Sequence, residues 1–291
     1  MNYRKQYPIG FRAHDLGHFG DAQTFVRTLQ EKNCPPLIQC APSKLFPSFP
    51  AIECLKKEEA VALQEVFQRN GIHMSVLGCY MNPVVEEVAA KKQMLARYKA
   101  SFQLASIFGN PVVGTETGSD NQVLPLGLTE EKRLDNFYRF VEAVLPYAQQ
   151  NNAVLAIEPV KGHTLNSFER IDALLSRFDC ENLQLIYDPS NFIPQINGTG
   201  SCDYLDAEVQ RTLFAQFFAQ YQHKISTIHL KDFVMINGVK KNTLPLFTGK
   251  FYIEGFITEL KKTGISASLL LENADIATIK KTQERLASLI G

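Results

Sequence analysis

The sequence predicts one α/β domain over residues 1–291, a (β/α)₈ barrel, and three observations predict it. Eight short apolar runs rich in β-formers recur with starts 28 to 42 residues apart, enough for a strand, a loop, a helix and a return. Several, such as Val154 to Ile157 and Ser268 to Leu271, are too continuously apolar for a half-wet antiparallel strand and suit a parallel sheet under helices. The last four runs, VLAIE, LQLIYD, STIH and SLLLE, each stop at a titratable side chain, as strands converging on one functional mouth do. A length of 291 residues fits a barrel of about 250 residues plus insertions.

In chain order the strands are expected to begin near Ile9, Leu37, Ile72, Val112, Val154, Leu183, Ile225 and Ala267. Between Leu134 and Ala148 apolar side chains recur at spacings of three and four, an amphipathic helix with Glu130 and Glu131 at its positive N-terminal end. Asn70–Gly71 and Thr263–Gly264 read as helix stops before strands. Glu254 to Lys262 reads as the helix feeding the last strand, and Ala274 to Ile290 as the closing helix. Pro189–Asp203 and Val234–Lys250 read as long loops over the mouth. Gly109, Gly114 and Gly118 read as turn residues, since a doubly wound sheet would carry a GxGxxG or GxxxxGK[ST] turn and neither is present.

Thirty basic side chains balance thirty acidic ones, which argues against a general nucleic-acid binder. Six cysteines without CxxC or CxxH spacing, in a chain this long, point to a reducing compartment and no disulfides. No apolar stretch reads as a secretion signal or a membrane span, so the expected location is cytoplasmic.

The run ends supply Glu158, Asp188, His229 and Glu272. One carboxylate at a strand end is ordinary solvated loop. Three on neighbouring strands would repel one another, and a bound cation is the direct way to hold them together. Three carboxylates and an imidazole suit Mn²⁺ best, with Mg²⁺, Co²⁺ and Zn²⁺ open. Such a site could isomerise or epimerise a sugar. Glu158 and Glu272 would take and return a proton, and the metal would stabilise an enediolate; hydrolysis would use the metal to activate water instead.

The pieces GFRAHDLG (10–17), CYMNP (79–83), VVGTETGS (112–119), LAIEPVKGHT (155–164), LIYDPSN (185–191), TIHLKDF (227–233) and SLLLEN (268–273), in that order, resemble the sugar-phosphate isomerase/epimerase-like barrels, called xylose isomerase-like or AP endonuclease family 2. The resemblance places the family's metal ligands on Glu158, Asp188, His229 and Glu272, and its acid and base on the two glutamates. Two departures narrow it. Many ketose 3-epimerases and the repair endonucleases have a histidine where this chain has Asn191. The stretch Lys231 to Val239 has neither the epimerases' arginine nor the endonucleases' Asp-x-His unit. One metal and a sugar are therefore expected rather than a three-metal DNA site.

Further expected substrate contacts are His14, Asp15, Glu116, His163, Asn191 and Lys231. The alternatives are a hydrogen-bonded pair for His14 and Asp15, a backbone-satisfied loop for His163, and an ion pair with Asp232 or Glu272 for Lys231. Lys44 and Lys161 are weaker phosphate candidates, and His18, His73 and His223 are given no catalytic role. The expected partner is a small sugar or sugar phosphate, with no nucleic acid and no membrane; a homodimer stays open. The alternatives to an isomerase or epimerase are an inosose-type dehydratase, a non-catalytic sugar-binding barrel and a metal-dependent phosphodiesterase or endonuclease.

Overall fold

A computed structural model describes residues 6–120, 124–193, 206–237 and 239–291. Eight parallel strands close into a barrel: β1 (Ile9–Arg12), β2 (Leu37–Cys40), β3 (His73–Gly78), β4 (Val112–Thr115), β5 (Leu155–Ile157), β6 (Leu183–Tyr187), β7 (Ile225–Leu230) and, after a hairpin of β8 (Asp232–Ile236) and β9 (Val239–Leu244), β10 (Ser268–Leu271). The long helices are α1 (Ala22–Glu31), α2 (Lys57–Arg69), α3 (Val88–Ala105), α4 (Glu130–Gln150), α5 (Phe168–Arg177), α6 (Ala207–Tyr221), α7 (Ile253–Thr263) and α8 (Ile279–Ile290). All eight expected strands are present. Strand β5 is buried at every position and β10 at all but its first, which is why their sequences show no alternation.

Local chemistry sets the helix limits. Thr129 caps α4 by accepting from the Lys132 amide, Glu130 and Glu131 follow in the first turn, and Phe137, Val141, Val144, Leu145 and Ala148 form its buried stripe. Gly264 ends α7 at φ 69°, a left-handed conformation that suits glycine. The closing helix starts at Ile279 rather than Ala274, because Asp275 makes a turn there that accepts the Ala277 amide.

The described residues form two compact units. The first comprises the segment up to Gly17, Arg27–Ile38 and the chain from Tyr187 onward. In it β10 pairs in parallel with both β1 and β7, placing Leu270 opposite Gly10 and His229. Tyr187 stacks on Phe217 of α6 at 3.7 Å between ring centres, and Phe256 of α7 packs on Phe214 and Phe218. That aromatic block fixes the end of β6 one residue before Asp188.

The second unit comprises His18–Val26 and Gln39–Ile186. There β3, β4, β5 and β6 pair in parallel register. The buried Tyr98 hydroxyl of α3 lies 2.9 Å from the Cys79 carbonyl oxygen and 2.6 Å from Thr115 Oγ1, tying the helix to the ends of β3 and β4.

Three expectations need correction. Val234–Lys250 is largely an antiparallel hairpin, not a plain loop. Pro189–Phe192 is a short helix, and residues 194–203 of the expected loop lie outside the described residues. Gly114 is not a turn residue but sits inside β4. Cys34, Cys40, Cys54, Cys79 and Cys180 are free thiols, whereas Cys202 lies outside the described residues. Among the described residues no helix is long and apolar enough to cross a membrane.

Candidate active site

The expected ligand residues occupy equivalent places. Glu158, Asp188 and Glu272 each follow the last residue of β5, β6 and β10, and His229 is the penultimate residue of β7. Each is almost fully buried. Backbone pairing runs past the strand ends to hold them: the Glu158 amide donates to Thr115 O at 2.8 Å and the Glu272 amide to Leu230 O at 3.0 Å.

In the first unit, Glu272 is ringed by Arg12, Lys231 and His229. Arg12 Nη1 donates to its Oε1 at 2.6 Å, Lys231 Nζ donates to its Oε2 at 2.9 Å, and His229 Nδ1 stands 3.3 Å from Oε1. Burial alone would raise its pKa, but Lys231, His229 and Arg12 outweigh burial and hold the carboxyl far below the usual range. Lys231 also stands 2.6 Å from Asp188 Oδ2. Its direction is not that of a hydrogen bond, so Oδ2 is a buried carboxylate oxygen with no donor. Asp188 Oδ1, by contrast, accepts from the Ser190 amide and hydroxyl at the start of the short helix.

Two of the other expected contacts in this unit, Asp15 and Asn191, carry structural partners. His14 and Asp15 lie in a 3₁₀ turn just beyond β1. Asp15 accepts from Arg12 Nε at 2.8 Å and from the Asn273 amide at 2.6 Å, and burial raises its pKa despite Arg12. Asn191 is buried, and its side-chain oxygen accepts from Asn242 of β9 at 3.4 Å. On the same strand Lys240 donates to the carbonyls of Ser190 and Ile193. The hairpin thus grips the turn that carries Asp188 and Asn191.

In the second unit the loops after β4 and β5 pair through Ser119 and His163 and through the Asp120 amide on Gly162 O. This pairing brings His163 Nδ1 to 3.8 Å from Glu116 Oε2, an ion-pair distance too long for a hydrogen bond. Lys161, Lys44, His18, His73 and His223 are exposed, and Lys44 lies over the Tyr80 ring.

Glu158, His229 and Glu272 each offer a ligand atom, and these atoms lie within 4.8 Å of one another, close enough to hold a metal ion. Asp188 is not in that group. Sequence reasoning assigned no role to Arg12 or Asn273, and Asp232 entered only as an alternative partner of Lys231. The signal for Arg12 was present, because it ends β1 as the four ligand-type residues end theirs.

The xylose isomerase-like TIM barrel family profile matches residues 45–289. The chain belongs to this family. Solved structures share its fold. A D-tagatose 3-epimerase-like protein superposes with TM-score 0.73 at 15% identity over 97% of this chain and 96% of that one. The 3-keto-D-glucoside 4-epimerase YcjR from E. coli gives 0.72 at 9% identity over 97% and 99%. The IolI protein, solved with a bound zinc atom, gives 0.66 at 17% identity over 97% of each chain. At such identities the likeness shows the fold alone. Comparison with curated proteins returns no match.

Proposed function

We propose that this xylose isomerase-like barrel is a divalent-metal-dependent isomerase or epimerase of a small sugar, keto-polyol or sugar phosphate. One observation carries the reading: two buried carboxylates and an imidazole converge to ligand distance. Such a donor set is costly to bury without a cation. Asp188 Oδ2, a buried carboxylate oxygen facing the Lys231 ammonium at 2.6 Å, supplies a fourth oxygen of the right kind. Glu158, Asp188, His229 and Glu272 would hold the ion, with Mn²⁺ favoured and Mg²⁺, Co²⁺ or Zn²⁺ also suited. When bound, the ion supplies Lewis acidity toward adjacent carbonyl and hydroxyl oxygens of a substrate. The epimerases and the zinc-bound protein of the same fold support sugar chemistry at a metal.

The chain's own residues divide the proton work. Glu158 and Glu272 would exchange a proton with the substrate carbon, one removing it and the other, having taken up a proton, returning one. Lys231, His163 and Glu116 would orient substrate oxygens. The test is metal analysis of the purified protein, followed by a panel of free and phosphorylated ketoses in D₂O. Deuterium should enter at the carbon beside the carbonyl, and Glu158→Gln or Glu272→Gln should slow exchange by about a hundredfold or more. Exchange surviving both substitutions would falsify the proton-transfer assignment. Water loss from an inosose without exchange in any ketose would reassign the barrel as a dehydratase.

A further inference from the structure

The oxygens a metal would need are already engaged by a cation of the chain itself. Asp188 Oδ1 is committed to Ser190, which leaves Oδ2 as its outward oxygen, and Lys231 Nζ stands 2.6 Å from it. Glu272 Oε1 is held by Arg12, and its Oε2 accepts from the same Lys231 ammonium at 2.9 Å. A divalent ion drawn to these two carboxylates would need the oxygens that the ammonium now faces. Beside an ammonium on the same oxygens, it would face a like charge at close range in a buried setting. The grouping agrees: Glu158, His229 and Glu272 converge, while the oxygen of Asp188 that could join them faces Lys231.

We infer that Lys231 is the resident counter-ion of the metal site, and that a divalent ion engages Asp188 and Glu272 by displacing its ammonium. This rests on the metal reading of the site. Three consequences follow from the charge balance. The metal-free protein keeps its buried carboxylates neutralised. Metal affinity is set below what the four ligands alone would give. The displaced ammonium, on a flexible four-carbon stem, is delivered beside the ion, where an anionic oxygen of a substrate would lie.

The test uses Mn²⁺ alone, with free ion followed by its EPR signal, on the chelator-treated wild type and Lys231→Met. Lys231→Met should bind Mn²⁺ at least about tenfold more tightly, and its metal-free form should melt several degrees lower. A second measurement needs no variant. Acylation of Lys231 in the wild type, read by peptide mass spectrometry, should speed up when Mn²⁺ saturates the site. Unchanged or weaker Mn²⁺ binding by folded Lys231→Met, or labelling indifferent to Mn²⁺, overturns the displacement while leaving the metal site standing. Absence of Mn²⁺ binding in both proteins removes the metal reading and the inference together.

Discussion

Glu272 shows how one residue's role is set by its neighbours. An isolated buried carboxylate would hold its proton; this one is kept ionised by Lys231, His229 and Arg12. Arg12 also bonds Asp15 and the Asn273 side chain, so it fixes the direction of the Glu272 carboxylate as well as its charge. Replacing Arg12 with Met should therefore lower metal affinity or turnover about 10- to 100-fold, the range for partners that orient a ligand. A titration of metal binding alongside steady-state rates would check it. Arg12→Lys should recover only part, because a lysine cannot reach three acceptors in one plane.

At the scale of elements, the hairpin β8–β9 depends on Asp232. Its buried carboxylate accepts the amides of Phe233, Gly249 and Phe251, so it clips together the two ends of the excursion between β7 and α7. Asp232→Ala should cost about 3 kcal/mol by leaving buried amides without acceptors. Faster proteolytic cleavage between residues 233 and 251 would report the release. Gly249→Ala should behave alike, since an added Cβ would meet the Asp232 carboxylate and the Phe233 carbonyl. A second element contact carries a pH signature. Arg97 of α3 pairs with both oxygens of Glu53, and although burial opposes it, Arg97 holds the Glu53 carboxyl below its usual value. That contribution is present above the unfolded value near 4.5 and is lost as pH falls through the lower folded value. Glu53→Gln should therefore lower the melting temperature at pH 7 and narrow the gap to wild type as pH falls below about 4.5.

At the scale of the whole barrel, interior volume is shared between strands far apart in sequence. A Cβ on Gly114 would lie 2.6 Å from Val76 Cγ1 on β3 and 3.0 Å from Ile186 Cδ1 on β6. Gly114→Val should destabilise the fold by about 1–3 kcal/mol through overpacking, measurable by denaturant unfolding. The same sharing explains which parts of the molecule were legible in the sequence. Continuous apolar runs and 3.6-residue stripes are local consequences of burial, so the eight strands, the α4 stripe and the stops at Gly71 and Gly264 could be read directly. So could the strand-end positions of Glu158, Asp188, His229 and Glu272, because each closes or nearly closes an apolar run. The hairpin was not legible: β9 alternates between exposed and half-buried positions and carries Lys240, Lys241 and Asn242, which read as loop.

The barrel was legible because its apolar runs recur at strand–helix spacing, and the four strand-end side chains because each sits at the end of such a run. What surrounds those side chains is set by the fold. Arg12 and Glu272 are 260 residues apart, and Lys231 and Glu272 are 41 apart. Their ion pairs exist only because parallel pairing brings β1, β7 and β10 side by side. Long-range charge pairing leaves no periodic trace in a sequence, so the state of Glu272 and the position of Lys231 had to come from the fold.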